Sequence, residues 1–279
     1  MGTESLQEKV VVITGGGGVI GGVLAKAIAG CGAKLAILDI NGKAAQDLAD
    51  EIIASGGNAS GFEANVLDLA SLMATKKKIA QTLGPCDILI NAAGGNHPGG
   101  TTSKTKHEPG DESNENLKSF FDLDLTGVQF VSDLNFIGTF LPTQVFARDM
   151  LDRPGCTVLN ISSMNAYRPL TKIPAYSAAK AAVSNFTQWL AVHLAPMGIR
   201  VNALAPGFFV TNQNRALLLD PSGGLTERGE TIIKHTPMGR FGKIEDLIGA
   251  TLWLLGNESE FVTGTIIPID GGFSAFSGV

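Results

Sequence analysis

The sequence predicts an α/β fold in which a doubly wound parallel sheet of about seven strands carries helices on both faces. Short β-branched and apolar runs alternate with longer segments whose apolar residues recur at helical spacing. Several of the short runs are apolar throughout, as expected for strands that helices cover on both sides. No linker-like stretch interrupts the alternation, so residues 1–279 are predicted to form a single domain.

The alternation begins with the strand-like run KVVVIT, a cluster of glycines and a helix-spaced segment. Similar units follow along the rest of the chain. The predicted strands are 9–14, 33–39, 58–64, 86–91, 156–162, 198–204 and 265–269. The predicted helices are 19–31, 42–55, 68–83, 135–151, 175–195 and 244–255.

Two segments fall outside this alternation. Residues 94–116 are rich in Gly, Pro, Thr and charge without any period, which predicts a loop insertion that is either functional or mobile. Residues 206–236 begin with Pro-Gly and contain PSGG, which predicts a helical excursion over the carboxyl edge of the sheet. Ligands of such sheets bind at that edge, so this segment is interpreted as a substrate-side lid.

Charge and cysteine content restrict the function classes. The chain has 21 Lys and Arg against 26 Asp and Glu, a net charge of −5, so no nucleic-acid or anionic-membrane partner is expected. Three widely spaced cysteines and four scattered histidines suggest neither a disulfide framework nor a metal site. No export signal and no run of 18 apolar residues is evident, so a cytoplasmic location is expected.

A glycine cluster, Gly15 to Gly18 with Gly21 and Gly22, lies between the first predicted strand and the first predicted helix. Backbone N–H groups of such a loop can approach a pyrophosphate at the positive end of a helix. The alternative is an ordinary tight turn. Asp39, at the end of the second strand, favours the first interpretation, because a carboxylate there can bind ribose hydroxyls and repel a 2′-phosphate. The pattern therefore predicts NAD rather than NADP.

A second constellation is Tyr176 with Lys180, four residues apart and hence on one helix face. A nearby ammonium can lower the pKa of a phenol, which predicts that Tyr176 exchanges a proton near neutral pH. Isolated pairs of this kind are mostly surface features. Here the pair follows a strand ending near Ser163, whose hydroxyl could hold a substrate carbonyl oxygen at the same sheet edge.

Taken together, these motifs resemble the short-chain dehydrogenase/reductase family over nearly the whole chain. The matching segments are TGGGGVIGG at 14–22, Asn65-Val66, NAAG at 91–94, Asn135 in LNFIGT, Ser163, YSAAK at 176–180, RVNALAPG at 200–207, Thr211 and PIDGG at 268–272. The resemblance implies a Rossmann-type domain, usually a homotetramer, that transfers hydride between a nicotinamide and an alcohol or ketone. One departure is Val19, which occupies the position of the second glycine in the family's usual TGxxxGxG pattern.

The resemblance also implies residue roles. Tyr176 is the acid/base, Lys180 lowers its pKa and binds the nicotinamide ribose, Ser163 orients the substrate oxygen, and Asn135 supports a proton-relay water. The implied cofactor-binding residues are Gly15, Gly17, Gly18, Val19, Ile20, Asp39, Ile40, Asn65, Val66, Asn91, Ala92, Ala93, Gly94, Tyr176, Lys180, Pro206, Gly207, Phe209 and Thr211.

Polar residues near the predicted catalytic group indicate the substrate. The candidate substrate-binding residues are Asn96, His97, Ser163, Asn165, Arg168, Asn212 and Arg215. Because this set is rich in hydrogen-bonding groups and contains cations that can hold a carboxylate, it predicts a small-molecule sugar acid rather than a steroid or acyl chain. Each residue taken singly is as readily explained as a solvated surface residue.

Several segments are similar to the family members that interconvert D-mannonate and D-fructuronate, which suggests that reaction; they include GGNHPGG, PGFFVTNQNR and TPMGRFG. Another keto-sugar acid, such as 5-ketogluconate, is the alternative substrate. A different class of function is a non-catalytic dinucleotide-binding sensor, but such a protein is expected to lose the proton-transfer residues. Acyl-carrier reduction is a third possibility, but the polar pocket and Asp39 give it little support.

Overall fold

The computed structural model describes residues 3–211 and 214–278, with the side chains of residues 3 and 4 left undescribed. Seven of its strands form one parallel sheet in the order β3-β2-β1-β4-β5-β6-β7. The strands are β1 Val10–Thr14, β2 Lys34–Asp39, β3 Asn58–Glu63, β4 Ile88–Asn91, β5 Thr157–Ile161, β6 Arg200–Pro206 and β7 Ile266–Ile269. The predicted doubly wound parallel sheet is confirmed.

Nine α-helices lie within the described residues. They are α1 Val19–Ala29, α2 Gly42–Ala54, α3 Leu69–Thr82, α4 Leu125–Ser132, α5 Gly138–Phe146, α6 Pro174–Leu194, α7 Arg215–Leu218, α8 Glu227–Lys234 and α9 Ile248–Leu255. Over the part of the chain that the structure describes, none is both long and apolar enough to cross a membrane.

Alternate residues of the central strands point into two apolar cores, one on each face of the sheet. On β1, Val11 and Ile13 pack with α1, α2 and α9, whereas Val10 and Val12 pack with α3, α5 and α6. Burial on both sides explains why these strands read as continuous apolar runs. Each core fixes three helices against one face, and the strand ends are left to form the site.

The strand order reverses between β1 and β4, which pair in register from Val11 opposite Ile88 to Thr14 opposite Asn91. The chain leaves β1 toward β2 and β3, and leaves β4 toward β5, β6 and β7. The loops that follow β1 and β4 therefore diverge and open a crevice at the carboxyl edge of the sheet. The glycine cluster follows β1 and the NAAG segment follows β4, so both predicted motifs lie at this crevice.

The predicted helix 135–151 is wrong at its start and ends within one residue of the prediction. The helical segment begins ten residues earlier at Leu125, where the Asp124 side chain accepts a hydrogen bond from the Thr126 N–H. It then passes through a π-helical turn, Asp133–Ile137, before α5, and ends in the 3₁₀ turn Ala147–Met150. The start of this helical segment could not be predicted from the sequence, because Leu125 and Phe130 of α4 are exposed and the helix lacks a clear apolar stripe.

The predicted insertion is irregular and continues past 116 to the start of α4. Two hydrogen bonds between Ser103 and Lys118 join the two sides of this insertion. The Ser103 N–H donates to the Lys118 carbonyl, and the Lys118 N–H donates to Ser103 Oγ. The Thr102 N–H also donates to the Lys172 carbonyl, which places the insertion beside the start of α6. The predicted lid contains the two short helices α7 and α8.

Candidate active site

The glycine loop after β1 requires glycine at two positions. Gly15 has φ +62°, and a Cβ on it would lie 2.7 Å from the Ala93 Cα. A Cβ on Gly21 would lie 2.4 Å from the Gly15 carbonyl oxygen. Val19 instead is the first residue of α1 and its side chain is 40% exposed. The departure at Val19 is therefore accommodated, because the close approach of loop and helix falls on Gly15 and Gly21.

Helix α1 begins with unused backbone N–H groups at the crevice. Its N-cap residue is Gly18, which has no side chain to accept a hydrogen bond, whereas side chains of Asn41 and Asp68 cap α2 and α3. The first N–H groups of a helix need an acceptor and attract negative charge. An uncapped helix start behind a glycine loop fits a pyrophosphate, so these residues suit a dinucleotide.

Asp39 lies at the end of β2 and its carboxylate is held beside the glycine loop. One carboxylate oxygen accepts from the Gly17 N–H at 3.1 Å, and the other accepts from the Asn41 N–H at 2.9 Å. The neighbouring Ile40 is 72% exposed and offers an apolar surface on which an adenine ring could pack. The charge of Asp39 is thus fixed within reach of anything that binds the loop.

The segment after β4 is fastened to β1 and reaches the predicted catalytic residues. Thr14 Oγ1 accepts from the Ala92 N–H at 3.2 Å and from the Ala93 N–H at 3.3 Å. A Cβ on Gly94 would lie 2.7 Å from Asn135 Oδ1 and 3.2 Å from Lys180 Nζ. The structure therefore brings the NAAG segment, Asn135 and Lys180 together at one point of the crevice.

Asn135 lies in the π-helical turn and is fully buried. Its Nδ2 donates to the carbonyls of Gly95 at 2.7 Å and Val131 at 2.8 Å, and its Oδ1 accepts from the Gly95 N–H at 3.3 Å. The side chain thereby connects the helix to the NAAG segment. The Asn135 backbone carbonyl accepts from Thr139 Oγ1 at 2.8 Å, which leaves one of its two lone pairs for a water.

Lys180 is buried on α6, and its Nζ lies 5.7 Å from the centre of the Tyr176 ring. The ammonium donates to the Ile161 carbonyl at 2.8 Å. Burial lowers the pKa of Lys180 to about 8, because a charged ammonium loses solvation there. Near neutral pH the side chain is still mostly protonated, so it presents a positive charge beside Tyr176.

In the protein alone, Lys180 does not bring the pKa of Tyr176 below its ordinary value. Burial raises the pKa of Tyr176 above its ordinary value, and a hydrogen bond with Ser163 partly opposes that rise. The reason is that loss of solvation penalises the phenolate more than these neighbours stabilise it. Tyr176 therefore keeps its proton at neutral pH, with its hydroxyl already in contact with Ser163.

The remaining cofactor candidates differ in their surroundings. Gly207 follows β6, and a Cβ on it would lie 2.6 Å from the Cα of Asp270, the residue after β7. The Thr211 N–H donates to Asn214 Oδ1. Phe209 is buried in the apolar core, and a Cβ on Gly242 would lie 2.3 Å from its ring. Asn65 caps the loop after β3, where its Oδ1 accepts from the Leu67 N–H. Val66 and Asn91 are buried, and Pro206 is the last residue of β6.

The predicted substrate-binding residues are only partly brought together. The Asn165 N–H donates to Ser163 Oγ at 3.3 Å, but the Asn165 Oδ1 is enclosed and has no hydrogen-bond partner within the described chain. Arg168 and Arg215 are exposed, and neither forms an ion pair with another described residue. Asn212 lies outside the described residues.

Two further candidates, Asn96 and His97, begin the insertion. Asn96 Nδ2 donates to Thr101 Oγ1 at 3.1 Å. The Gly99 N–H donates to Nδ1 of His97 at 3.0 Å, so the neutral imidazole carries its proton on Nε2 and can donate from there. Its ring packs at 5.2 Å against Phe130 of α4. Within residues 3–211 and 214–278, no group of three or more His, Cys, Asp or Glu could hold a metal ion.

Sequence reasoning missed two residues that build the site. Thr14 positions the NAAG segment through its hydroxyl, and the Ile161 carbonyl anchors the Lys180 ammonium. The threonine immediately before Gly15 offered a signal, since a side chain at the last position of β1 must reach the crevice. Nothing in the sequence marks a backbone carbonyl such as that of Ile161.

Comparison with known proteins agrees with this geometry. A family model described as enoyl-(acyl carrier protein) reductase matches residues 17–274. An uncharacterized oxidoreductase of Haemophilus influenzae is 54% identical over 277 residues, which cover 99% of this chain and 96% of the relative. The chain therefore belongs to the short-chain dehydrogenase/reductase family and is an NAD(P)-dependent oxidoreductase.

Two solved structures are informative about ligands. A Haemophilus influenzae protein provisionally assigned as a D-mannonate oxidoreductase, crystallised with bound NAD, is 53% identical with a TM-score of 0.95, and the match covers 99% of this chain and 98% of that one. A gluconate 5-dehydrogenase from Burkholderia cenocepacia, in complex with NADP and tartrate, is 29% identical with a TM-score of 0.83, and the match covers 99% of both chains. The predicted nicotinamide dinucleotide cofactor is confirmed at the level of the family.

Proposed function

We propose that this protein transfers a hydride between NAD(H) and a sugar acid, interconverting D-mannonate and D-fructuronate. The observation that carries the hydride-transfer reaction is the convergence of Asn135, Lys180 and Gly94 at the crevice, with Tyr176 and Ser163 on the same edge. The choice of substrate is supported by the likeness to the Haemophilus influenzae structure assigned to D-mannonate.

The cofactor is proposed to be NAD because of Asp39. Its carboxylate is fixed by two backbone N–H groups beside the glycine loop, where it would accept hydrogen bonds from ribose hydroxyls. The same charge would repel a 2′-phosphate. The uncapped start of α1 and the approach of Gly15 to Ala93 would hold the pyrophosphate.

When bound, the nicotinamide ring supplies or accepts the hydride. The residues of this chain handle the proton and the orientation of the substrate. Ser163 donates a hydrogen bond to the oxygen of the reacting carbonyl, and Tyr176 donates its proton to that oxygen as negative charge develops. The raised pKa of Tyr176 keeps the phenol protonated at neutral pH, so it is ready to act as the acid in the reductive direction.

Lys180 stabilises Tyr176 after that residue has given up its proton. Its pKa of about 8 leaves it mostly charged at neutral pH, and a positive charge beside the phenol stabilises the phenolate that remains after the proton has left. A water on the free lone pair of the Asn135 carbonyl would return the proton from solvent. Oxidation of an alcohol would use the same groups in reverse.

The carboxylate of the substrate is proposed to lie near Arg168, Arg215 or the Nε2 proton of His97. The two guanidinium groups form no ion pair within the described chain, so their charges are available to an acid. A planar guanidinium can bind a carboxylate with two parallel hydrogen bonds. Asn96 and Asn165 would add hydrogen bonds to hydroxyl groups.

The substrate is tested with a panel of ketoses and the loss of NADH absorbance. D-Fructuronate should be reduced with the highest kcat/KM, and D-fructose, a ketose of the same carbon number without the carboxylate, should be a poor substrate. The matched control is Tyr176→Phe, which removes the proton donor but keeps the ring. Equal turnover of D-fructose and D-fructuronate would exclude the sugar-acid proposal.

The second candidate substrate is 5-ketogluconate, which the likeness to the gluconate 5-dehydrogenase structure favours. Both acids belong in the same panel, and the higher kcat/KM decides between them. A protein that bound NADH but reduced no member of the panel would support the non-catalytic sensor instead.

We also propose a cytoplasmic homotetramer. Two neighbouring helices carry exposed apolar side chains, Leu125 and Phe130 on α4 and Trp189 and Val192 on α6, of which Val192 is 78% exposed. Apolar surface of this kind supports burial between copies of the chain. Light scattering after size-exclusion chromatography should give four times the chain mass, and a monomer mass would refute the proposal.

A further inference from the structure

A continuous chain of buried hydrogen bonds runs along one face of the sheet, from the π-helical turn at Asn135 through β4 and β5 to helix α6. Five polar side chains form it, and together they are called the threonine–asparagine chain: Thr139, Thr143, Asn91, Asn160 and Thr187. Each of them is at most 2% exposed. Its members come from α5, β4, β5 and α6. Asn91 is among the residues that the family resemblance implies for cofactor binding, and the other four have no role in the mechanism above.

On the side of α5, two threonine hydroxyls lead back to the predicted proton-relay position. Thr139 Oγ1 donates to the Asn135 carbonyl at 2.8 Å, and Thr143 Oγ1 donates to the Thr139 carbonyl at 2.7 Å. Thr143 Oγ1 in turn accepts from Asn91 Nδ2 at 2.9 Å. The backbone around Asn135 is thereby attached to the end of β4.

On the other side, the chain continues through β5 to α6. Asn91 Nδ2 donates its second proton to Asn160 Oδ1 at 2.8 Å, and Asn160 Nδ2 donates to Thr187 Oγ1 at 2.9 Å. Thr187 Oγ1 then donates to the Val183 carbonyl at 2.8 Å. Val183 lies one helical turn beyond Lys180.

The direction of every bond in this chain is fixed. Each threonine hydroxyl gives its one proton to a helix carbonyl, so the Thr143 and Thr187 hydroxyls can only accept from an asparagine amide. Asn91 therefore has to donate both amide protons, one to Thr143 and one to Asn160. Its Oδ1 is buried and has no hydrogen-bond partner within the described chain. Breaking one of the bonds leaves a further unpaired polar group, which is costly.

We propose that Thr139, Thr143 and Thr187, joined through Asn91 and Asn160, are positioning residues that set the distance between the Asn135 carbonyl and the Tyr176 and Lys180 side chains. They touch neither substrate nor cofactor. The two helices that carry the proton-transfer groups lie on the same face of the sheet, and apolar packing alone would let them slide. Directional bonds to two adjacent strands remove that freedom. This inference rests on the proposed roles of Asn135, Tyr176 and Lys180.

The test compares Thr187→Val with the matched control Thr251→Val. Thr251 is equally buried, on α9, and its hydroxyl donates to the carbonyl four residues earlier at 2.8 Å, as that of Thr187 does. It is not connected to the threonine–asparagine chain by any hydrogen bond that the structure describes. Both variants lose a buried hydroxyl that donates to its own helix, and only Thr187→Val also removes the acceptor of the Asn160 Nδ2 proton, which is the link under test.

Thr187→Val should lower kcat by about 10- to 100-fold, because a small displacement of reacting groups has effects of that size. KM and the Kd of NADH should stay within about twofold of the parent, since no binding group is removed. Thr187→Ser, which restores the hydroxyl, should recover most of kcat. Thr251→Val should leave kcat within about twofold of the parent, since it lies outside the chain.

A second measurement does not depend on turnover. Hydrogen exchange of the amides in 133–139 should accelerate in Thr187→Val but not in Thr251→Val, although residue 187 is on another helix. Should Thr187→Val fail to fold, Thr139→Val tests the chain from its other end, with acceleration expected in α6. Equal kcat and equal exchange in the two Thr→Val variants would overturn the inference. If the parent reduces no sugar acid, the proposed function fails, while the exchange comparison still decides the positioning role.

Discussion

Replacing Lys180 by methionine should make the protein more stable near neutral pH while it destroys activity. The buried ammonium has a pKa of about 8 in the folded chain, against an ordinary value of 10.5. A proton that the folded state binds less tightly than the unfolded state destabilises folding wherever both states are protonated. At pH 7 the difference amounts to about 3 kcal/mol.

The sign of the pH dependence follows from the lowered pKa. Between pH 8 and 10.5 the unfolded chain keeps the Lys180 proton that the folded chain has released, so the free energy of unfolding rises with pH. Raising the pH from 7 to 9.5 should recover about 2 kcal/mol of the penalty in the parent. Lys180→Met has nothing to titrate at this position, so its advantage over the parent should shrink by that amount.

Urea unfolding followed by tryptophan fluorescence, at one protein concentration and at both pH values, measures this difference. The methionine variant also loses the hydrogen bond to the Ile161 carbonyl, an offset of about 1 kcal/mol that does not change with pH. Lys77→Met, an exposed lysine on α3, is the control and should show no such change between the two pH values. A difference between Lys180→Met and the parent that is the same at pH 7 and 9.5 would refute the buried charge.

Three further substitutions test the site. Tyr176→Phe should reduce kcat by at least about 100-fold because the proton donor is lost, with an unchanged Kd for NADH by fluorescence titration; retained turnover would remove Tyr176 from the mechanism. Asp39→Asn should lower the ratio of kcat/KM with NADH to kcat/KM with NADPH by about tenfold, since it removes the charge that opposes a 2′-phosphate. An unchanged ratio would show that Asp39 does not select the cofactor. Gly94→Ala should abolish turnover, because the added Cβ would lie 2.7 Å from the Asn135 Oδ1 and 3.2 Å from the Lys180 Nζ. Circular dichroism should show little loss of secondary structure. An active variant would mean that this crevice is not the site.

The sequence was sufficient to predict the sheet and most of its helices. The strands of the structure fall within two residues of the predicted ones, because continuous apolar runs and the glycines that punctuate them are local signals. The catalytic candidates Ser163, Tyr176 and Lys180 were found because each follows a strand or lies on a helix at a fixed spacing. Parallel strands have their carboxyl ends at one edge of the sheet. Residues that follow different strands could therefore be predicted to lie close together at that edge.

The start of α4 at Leu125 and the π-helical turn at Asp133–Ile137 were not predictable in the same way. Leu125 and Phe130 are exposed in the described chain, so the helix that carries them has no apolar stripe to mark its beginning. The Asn135 side chain bonds Gly95, the residue after the NAAG segment, as well as Val131 of α4, and Thr139 bonds the Asn135 carbonyl. The contact with Gly95 joins residues 40 positions apart and leaves no local pattern in the sequence.

By itself, the sequence determined the layout of this protein: which segments are strands, which edge of the sheet carries the candidate site, and which residues are candidates to transfer a proton or select a dinucleotide. The tertiary structure alone decided the energetics of those residues. Whether the pKa of Tyr176 rises or falls, how far Lys180 is desolvated, and whether the polar groups between α5 and α6 are paired all depend on burial and on distances between distant segments. Solvation and electrostatic energies vary with three-dimensional surroundings, which residue identity and spacing do not specify.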